Sequence, residues 1–249
     1  MIYRLDHDLD HISEEGVYDA TLIRFPGEED AWFSNPELDL TGQVPQPMEF
    51  VGNLAALEQT DYPYLDRSFP LMSWKLLMTL LSVEAFPYRV YPTRIYSEAL
   101  RDEVRYESGG MRTDLEVTDP SLYTDRFVVV QPSEWTDVLD TQRTIYAART
   151  EGGYVPRRAA DTESKWGFVD DEKIEHLVLT APEKGLPGLF LIPQLASLLC
   201  TERSVAACRQ AGIVGVSFTP IPVPLYSGAR AVPGGYRLLA EENLSVELT

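Results

Sequence analysis

The sequence predicts an α+β fold, with a mixed or mostly antiparallel sheet and two main helices packed on it. Short apolar or β-branched runs, bounded by turn-forming residues, recur along most of the chain and are typical of strands. Two segments, 74–83 and 201–211, are capped and helix-forming, and each is followed closely by a strand pattern. Strands and helices alternate irregularly, which favours α+β over a doubly wound sheet.

The N-terminal region, 1–66, reads as strands and loops. A strand pattern at 2–5 is followed by a stretch rich in Asp, Glu, Gly and Pro, through most of which we expect no helix. We expect this region to belong to the same domain as an α+β core at 67–225, and 226–249 to form a C-terminal extension. A chain of 249 residues is long enough to bury one large core.

The first helix is predicted to begin after Ser73, whose hydroxyl suits an N-cap, and to run from 74 to 83. Its residues are apolar on nearly all sides, so we expect a buried helix with Trp74 in the core. A strand follows at 88–95, and Pro92 within it indicates an edge strand or a bulge. The leucines expected in the core are Leu77, Leu80 and Leu81.

The second half of the chain alternates short strand patterns with polar stretches. Thr201 caps the second helix, and Gly212 stands where a left-handed residue commonly ends one. The polar stretch 101–125 predicts a hairpin or loop, whereas 141–165 reads as a polar insert. The further strand patterns lie at 127–130, 174–180, 189–192 and 214–223.

The strong negative charge is the first guide to function. The chain has 39 acidic and 21 basic residues, a net charge of −18. The first 66 residues hold 15 of the acids and 2 of the bases. Such a field repels nucleic acid and anionic membranes but speeds the encounter with a basic protein partner. The alternative is that the acidity serves solubility alone.

Targeting and redox signals point to the cytoplasm. The first ten residues lack the basic and apolar regions of a signal peptide. The longest apolar stretches, 69–83 and 186–200, are too short and too interrupted to span a membrane. Cys200 and Cys208 have neither a metal-binding nor a redox spacing. We therefore expect a cytoplasmic protein with reduced cysteines.

Candidates for catalysis or metal binding are few. His7 and His11 form a metal-like cluster with neighbouring acids, but their spacing suits a helix and the segment predicts strand and loop. His176 alternates with apolar residues on a predicted strand, which indicates a structural role. The common hydrolase, P-loop, dinucleotide and zinc-protease motifs do not occur. We expect no enzymatic activity, metal or cofactor; the alternative is an enzyme with a site near His7 and His11.

Two clusters combine tryptophan with acidic residues and are candidates for binding a basic partner. Exposed carboxylates can steer the encounter, and an aromatic ring can anchor the complex. Burial in the core is the alternative for each tryptophan. The candidate residues are Glu28, Glu29, Asp30 and Trp32 in the first cluster, and Glu134, Trp135 and Asp137 in the second.

Several segments resemble the bacterial immunity protein 11 family. They read FPLMS at 69–73, VQPSEWTDVLD at 130–140 and LFLI at 189–192, and the helix at 201–211 is followed by GIVGVSFTP. The resemblance covers roughly residues 62–223 and consists of packing patterns. It implies a cytoplasmic, non-enzymatic protein that masks a co-encoded toxin, often a nuclease. A relative could equally restrain a co-encoded secreted enzyme, such as a protease, until export.

Overall fold

The computed structural model describes residues 1–8, 18–23, 35–44, 46–65, 70–101, 117–150, 153–161, 174–181, 185–193, 197–221, 225–227 and 230–231. Within these residues, helices pack against antiparallel and mixed sheets. The predicted α+β class is therefore confirmed.

The described strands are numbered in chain order. They are β1 Ile2–His7, β2 Ala20–Leu22, β3 Met48–Gly52, β4 Leu71–Ser73, β5 Tyr88–Ser97, β6 Tyr123–Thr124, β7 Phe127–Pro132, β8 Ile145–Thr150, β9 Gly153–Arg158, β10 Ile174–His176, β11 Leu179–Ala181, β12 Leu189–Phe190, β13 Leu199–Thr201, β14 Val216–Ile221, β15 Leu225–Ser227 and β16 Arg230–Ala231. The helices are α1 Leu54–Leu57, α2 Trp74–Val83 and α3 Glu202–Gln210, and short 3-10 turns lie at Glu98–Leu100, Pro120–Leu122 and Ala159–Asp161.

The chain divides into two compact units. The first unit comprises Met1–Leu5, Trp135–Val205 and Phe218–Thr249, and the second comprises Asp6–Glu134 and Ala206–Ser217. Both units are discontinuous in sequence, unlike the three consecutive predicted segments 1–66, 67–225 and 226–249. Three of the four boundaries between the units fall inside β1, α3 and β14, and the fourth follows β7.

A six-stranded sheet forms the centre of the second unit. Its order is β2-β3-β5-β7-β4, and β6 pairs with β5. Strand β5 pairs antiparallel with β7 at residues 88–92 and parallel with β3 at residues 93–97. As a whole β5 lies between β3 and β7 and is not an edge strand, but Pro92, for which an edge or a bulge is predicted, itself pairs with β7 and not with β3. Pro92 immediately precedes the first residue paired with β3, where its missing N–H is tolerated.

The main core of the second unit lies on one face of this sheet. Successive residues of a strand point to opposite faces, so Tyr91 of β5 and Phe127 and Val129 of β7 reach the same side. Gln131 also faces this side: it accepts a hydrogen bond from the Tyr91 hydroxyl at 2.8 Å and donates to the Leu38 carbonyl at 2.8 Å. The buried members of this core are Ala20, Leu40, Val44, Met48, Phe50, Leu57, Leu65, Leu71, Tyr91, Ile95, Phe127 and Val129.

Helix α2 begins and ends where the sequence predicts. The Ser73 hydroxyl accepts a hydrogen bond from the Leu76 N–H at 3.0 Å, which confirms the N-cap. Leu77 and Leu80 are fully buried, as predicted, whereas Leu81 is partly buried.

The opposite side of α2 faces solvent, although it also carries large apolar residues. Trp74 is 45% exposed and Met78 is 59% exposed, and the two lie one helical turn apart. The predicted burial of Trp74 is wrong, because it shares the exposed arc of the helix with Lys75 and Ser82. One side of the helix is therefore buried and the other exposed, even though its sequence is apolar nearly all round.

The first unit is built around smaller sheets, with strand orders β12-β13-β1-β14, β10-β8-β9 and β11-β15-β16. The hairpin β8–β9 lies inside the polar stretch 141–165, where the sequence pattern does not predict strands. The main described core of this unit consists of Ile2, Val138, Leu177, Leu179, Leu186, Phe190, Ile192, Leu199 and Ile221.

Helix α3 is one residue shorter at each end than predicted. The Thr201 hydroxyl accepts from the Ser204 N–H at 3.4 Å, and Gly212 after the helix has the predicted positive φ, +62°. Cys200 and Cys208 are buried and unlinked. None of the described helices has both the length and the apolar character needed to cross a membrane.

Candidate functional site

The structure describes three of the seven predicted partner-binding residues. Glu134 and Asp137 are exposed and Trp135 is partly buried. Glu134 belongs to the second unit, whereas Trp135 and Asp137 belong to the first. The remaining four, Glu28, Glu29, Asp30 and Trp32, lie outside the described residues.

His7, half of the predicted metal-like cluster, packs against a tyrosine. Its ring stacks on Tyr62 with 4.2 Å between ring centroids, and its Nδ1 lies 3.1 Å from the Tyr62 carbonyl oxygen. Burial and the nearby charge of Asp6 raise the pKa of Tyr62. His11 lies outside the described residues. Within the described part of the chain, no group of three His, Cys, Asp or Glu residues is placed to hold a metal ion.

A groove lies beside the exposed Trp74 in the second unit. Its volume is about 350 Å³, near the lower end of the range for pockets that accept small molecules. Strands β5 and β7 contribute one part of its lining, and the first residue of α2 contributes another. We call it the Trp74 groove; its lining residues are Pro47, Trp74, Pro92, Thr93, Arg94, Asp125, Phe127 and Val128.

An ion pair forms the polar part of the Trp74 groove. The Arg94 guanidinium donates two hydrogen bonds to the Asp125 carboxylate, at 2.9 and 2.8 Å, and lies 4.3 Å from the centroid of the Tyr123 ring. The hydrogen bonds from Arg94 to Asp125 raise the pKa of Arg94. The Asp125 side chain is 49% exposed. Since a carboxylate has about four acceptor positions, Asp125 keeps capacity for another donor.

The buried carboxylate of Asp61 lies beneath the start of α2. It accepts hydrogen bonds from the Ser73 hydroxyl at 2.7 Å, the Arg126 guanidinium at 2.7 Å and the Val214 N–H at 3.1 Å. Lys75 Nζ lies 3.7 Å from the same carboxylate. Burial alone would raise the pKa of Asp61, but the hydrogen bonds from Ser73, Arg126 and Val214 outweigh it and hold the pKa below its usual value. Asp61 is therefore ionised at neutral pH.

The partners of Asp61 come from separate segments of the second unit. Arg126 also donates to the Leu57 carbonyl at 3.1 Å, and Lys75 donates to the Gly212 carbonyl at 2.6 Å. The Asp61 N–H donates to the Val214 carbonyl at 2.8 Å. Asp61 and its partners thus connect four segments. The carboxylate contacts the start of α2, the residue before β7 and the chain after α3, and Arg126 extends the network to the end of α1.

A glycine allows the chain after α3 to approach closely. Gly215 has a φ of +72°, a conformation that residues with a Cβ rarely adopt. A Cβ at this position would also overlap the Thr60 side chain, next to Asp61 in sequence. Glycine at 215 therefore permits the contact between this segment and the residues around Asp61.

The charges around Trp74 are largely balanced by their own neighbours. Arg94 is paired with Asp125, and Arg126 and Lys75 are both engaged by Asp61. Over its whole sequence the second unit is nevertheless strongly acidic, with 25 Asp and Glu against 10 Lys and Arg. The charges in the groove lining, Arg94 and Asp125, cancel, whereas Lys75 and Arg126 beside it share the one carboxylate of Asp61. The Trp74 groove is thus a partly apolar surface on a unit with a charge of −15.

The sequence pattern does not predict that Trp74 and Met78 are exposed to solvent. Both are apolar, like the buried leucines of the same helix, so their type predicts burial. The polar residues Lys75 and Ser82 carry the signal that could have identified them, because they share the solvent-facing arc of α2.

No protein-family model matches the chain, and no curated protein matches it. The resemblance to the immunity protein 11 family therefore stays a prediction that rests on the segments named above.

Proposed function

We propose that this protein binds and masks a co-encoded bacterial toxin in the cytoplasm and thereby protects the cell that produces it. Its action is stoichiometric binding, and its partner is a basic protein, with a nuclease as the leading class. The observation that carries the proposal is the presence in one compact unit of most of the negative charge together with exposed aromatic and aliphatic side chains.

The charge supports a basic partner. The second unit accounts for −15 of the net charge of −18. Long-range attraction of this kind raises the rate at which oppositely charged proteins meet. Nucleases grip phosphate groups with Lys and Arg, so their binding surfaces have the complementary charge.

The exposed apolar side chains support a protein partner. Single exposed apolar residues are ordinary on a soluble protein, but Trp, Tyr and Met are the types enriched where proteins bind one another. Of the residues that the structure describes, six large apolar side chains are exposed, and all six belong to the second unit: Tyr18, Leu38, Trp74, Met78, Tyr88 and Val214.

The proposal is tested by expressing the product of the adjacent gene in a bacterial host, with and without this protein. We expect the adjacent product to stop growth alone and growth to return when both are made, because the complex masks the toxin. An unrelated protein of similar charge serves as the control. Growth arrest that this protein does not relieve, or a harmless adjacent product, would contradict the proposal.

A further inference from the structure

We infer that the Trp74 groove and the neighbouring Met78 form the surface on which the partner docks, and that the partner inserts a large apolar side chain carried by a basic segment. This inference rests on the proposed function and assigns that function a binding surface. It also differs from the second sequence-predicted cluster, since Glu134, Trp135 and Asp137, the members that the structure describes, do not line the Trp74 groove.

Helix α2 and the adjacent strands supply the apolar part of the docking surface. Trp74 and Met78 project from successive turns of the exposed side of α2, so one partner segment can cover both. Pro92 and Val128 extend the apolar surface into the groove. Binding energy at protein interfaces concentrates in a few residues that seat in well-packed pockets, and tryptophan is the type most enriched among them.

The Trp74 groove is held by a buried network that spans the second unit. Ser73 and Lys75, on either side of Trp74, both contact Asp61, and the Trp74 N–H donates to the Arg126 carbonyl at 3.1 Å. The first turn of α2 is thus held by charge-assisted hydrogen bonds at its base. A surface fixed before binding has less conformational entropy to lose when the partner arrives, which favours affinity.

The chemistry of the occupant follows from charge. The Arg94 cation in the groove is neutralised by Asp125, Lys75 and Arg126 share the single carboxylate of Asp61, and the unit as a whole carries a charge of −15. A second copy of this chain would bring a second charge of −15 to the same surface and would be repelled. A basic segment is attracted instead, and its Lys or Arg side chains can donate to the half-exposed Asp125 carboxylate.

The test measures the affinity of this protein for a catalytically inactive form of the adjacent gene product, by surface binding kinetics. We expect Trp74→Ala to raise the dissociation constant at least about 30-fold, mainly through faster dissociation. Met78→Ala should raise it about fivefold. Leu38→Ala is the matched control, because Leu38 is 40% exposed in the same unit, on a loop that packs on the Tyr91 and Gln131 face of the sheet. We expect it to change the constant less than about twofold.

A second measurement separates docking from folding. Photo-crosslinking amino acids are placed at position 78 and, as the control, at position 38, and the circular dichroism spectrum and thermal midpoint of every variant are compared with wild type. Both positions are exposed, so the replacements are compatible with the fold. Cross-linking to the partner from position 78 and none from position 38 would support the inference.

Four outcomes would overturn the inference. If wild type binds the partner but the Trp74 and Met78 variants bind equally well, the docking surface is wrong and the proposed function stands. If wild type does not bind the partner, both are wrong. Self-association in sedimentation that Trp74→Ala abolishes would assign the surface to a second copy of this chain. An association rate that does not change between low and high salt would exclude a basic segment as the occupant.

Discussion

The carboxylate of Asp61 is buried and accepts hydrogen bonds from Ser73, Arg126 and Val214, which come from three separate segments of the second unit. Asp61→Asn keeps the size of the side chain but removes the charge that Arg126 and Ser73 contact. We expect this variant to lower the free energy of unfolding by at least about 2 kcal/mol, since charge-assisted hydrogen bonds to a buried group are lost. Urea denaturation measures the change.

Asp125→Asn is the matched control for Asp61→Asn. It also removes a carboxylate that pairs with an arginine, but the Arg94–Asp125 pair is partly exposed. Exposed ion pairs contribute little, so we expect a loss below about 1 kcal/mol. Equal losses for the two variants would show that burial of Asp61 does not matter for stability.

The same carboxylate predicts how stability depends on pH. The pKa of Asp61 is lower in the folded protein than its usual value, so folding favours the ionised form. This contribution is complete above the unfolded-state pKa of about 4 and is lost as the pH falls through the folded-state pKa. The difference in unfolding free energy between wild type and Asp61→Asn should therefore shrink as the pH is lowered from 7 to 2.5. A difference that stays constant over this range would contradict the assignment.

Helix α2 has a buried side that we expect to stabilise the fold and an exposed side that we expect to contribute little to folding stability. Leu80→Ala should lower the free energy of unfolding by about 2–5 kcal/mol, because it leaves a cavity in a fully buried position. Met78→Ala, one helical turn from Trp74 on the exposed side, should change it by less than about 0.5 kcal/mol. Thermal and urea unfolding of the two variants compare them directly. A large loss for Met78→Ala would mean that this side of the helix is packed in the folded protein.

The bounds of α2 could be predicted from the sequence, whereas its exposed side is signalled there only by the polar Lys75 and Ser82. Ser73 and the helix-forming run behind it are local signals, and local signals fix where a helix begins and ends. Which apolar residue is covered depends on the sheet beneath the helix. Trp74 and Leu77 are both apolar, so their residue type does not distinguish the exposed one from the buried one.

Strand pairing is the other part of the fold that local sequence patterns do not predict. The pattern at 88–95 predicts a strand correctly, and Pro92 indicates an edge strand or a bulge. The neighbours β3 and β7 come from distant parts of the chain, so local patterns do not show that β5 lies between them. In the candidate site, Asp61 has no sequence signal at all. It is one of 39 acidic residues, and only the meeting of Ser73, Arg126 and Val214 around it distinguishes it from the others.

At the scale of the whole molecule, the uneven charge predicts how the partner is approached. The acids Glu28, Glu29 and Asp30 lie in the N-terminal region, residues 1–66, which contains 15 acidic and 2 basic residues. Replacing them together with Gln, Gln and Asn should slow association with the adjacent gene product and weaken its dependence on salt. Dissociation should change less, since exposed charges act mainly on the encounter.

The matched control for the triple replacement removes three acids of the first unit, Glu241, Glu242 and Glu247. It changes the net charge equally but leaves the N-terminal cluster intact. Equal slowing by both sets would mean that net charge alone matters. If neither set of replacements changes the association rate, the acidic residues serve solubility alone.

The proposed function requires that this protein bind a basic, co-encoded partner. Sedimentation equilibrium of purified wild type, mixed with the inactive product of the adjacent gene at low and high salt, tests it most directly. We expect a one-to-one complex whose dissociation constant rises with salt, because attraction to a unit of charge −15 is screened. Two proteins that sediment independently at both salt concentrations would contradict it.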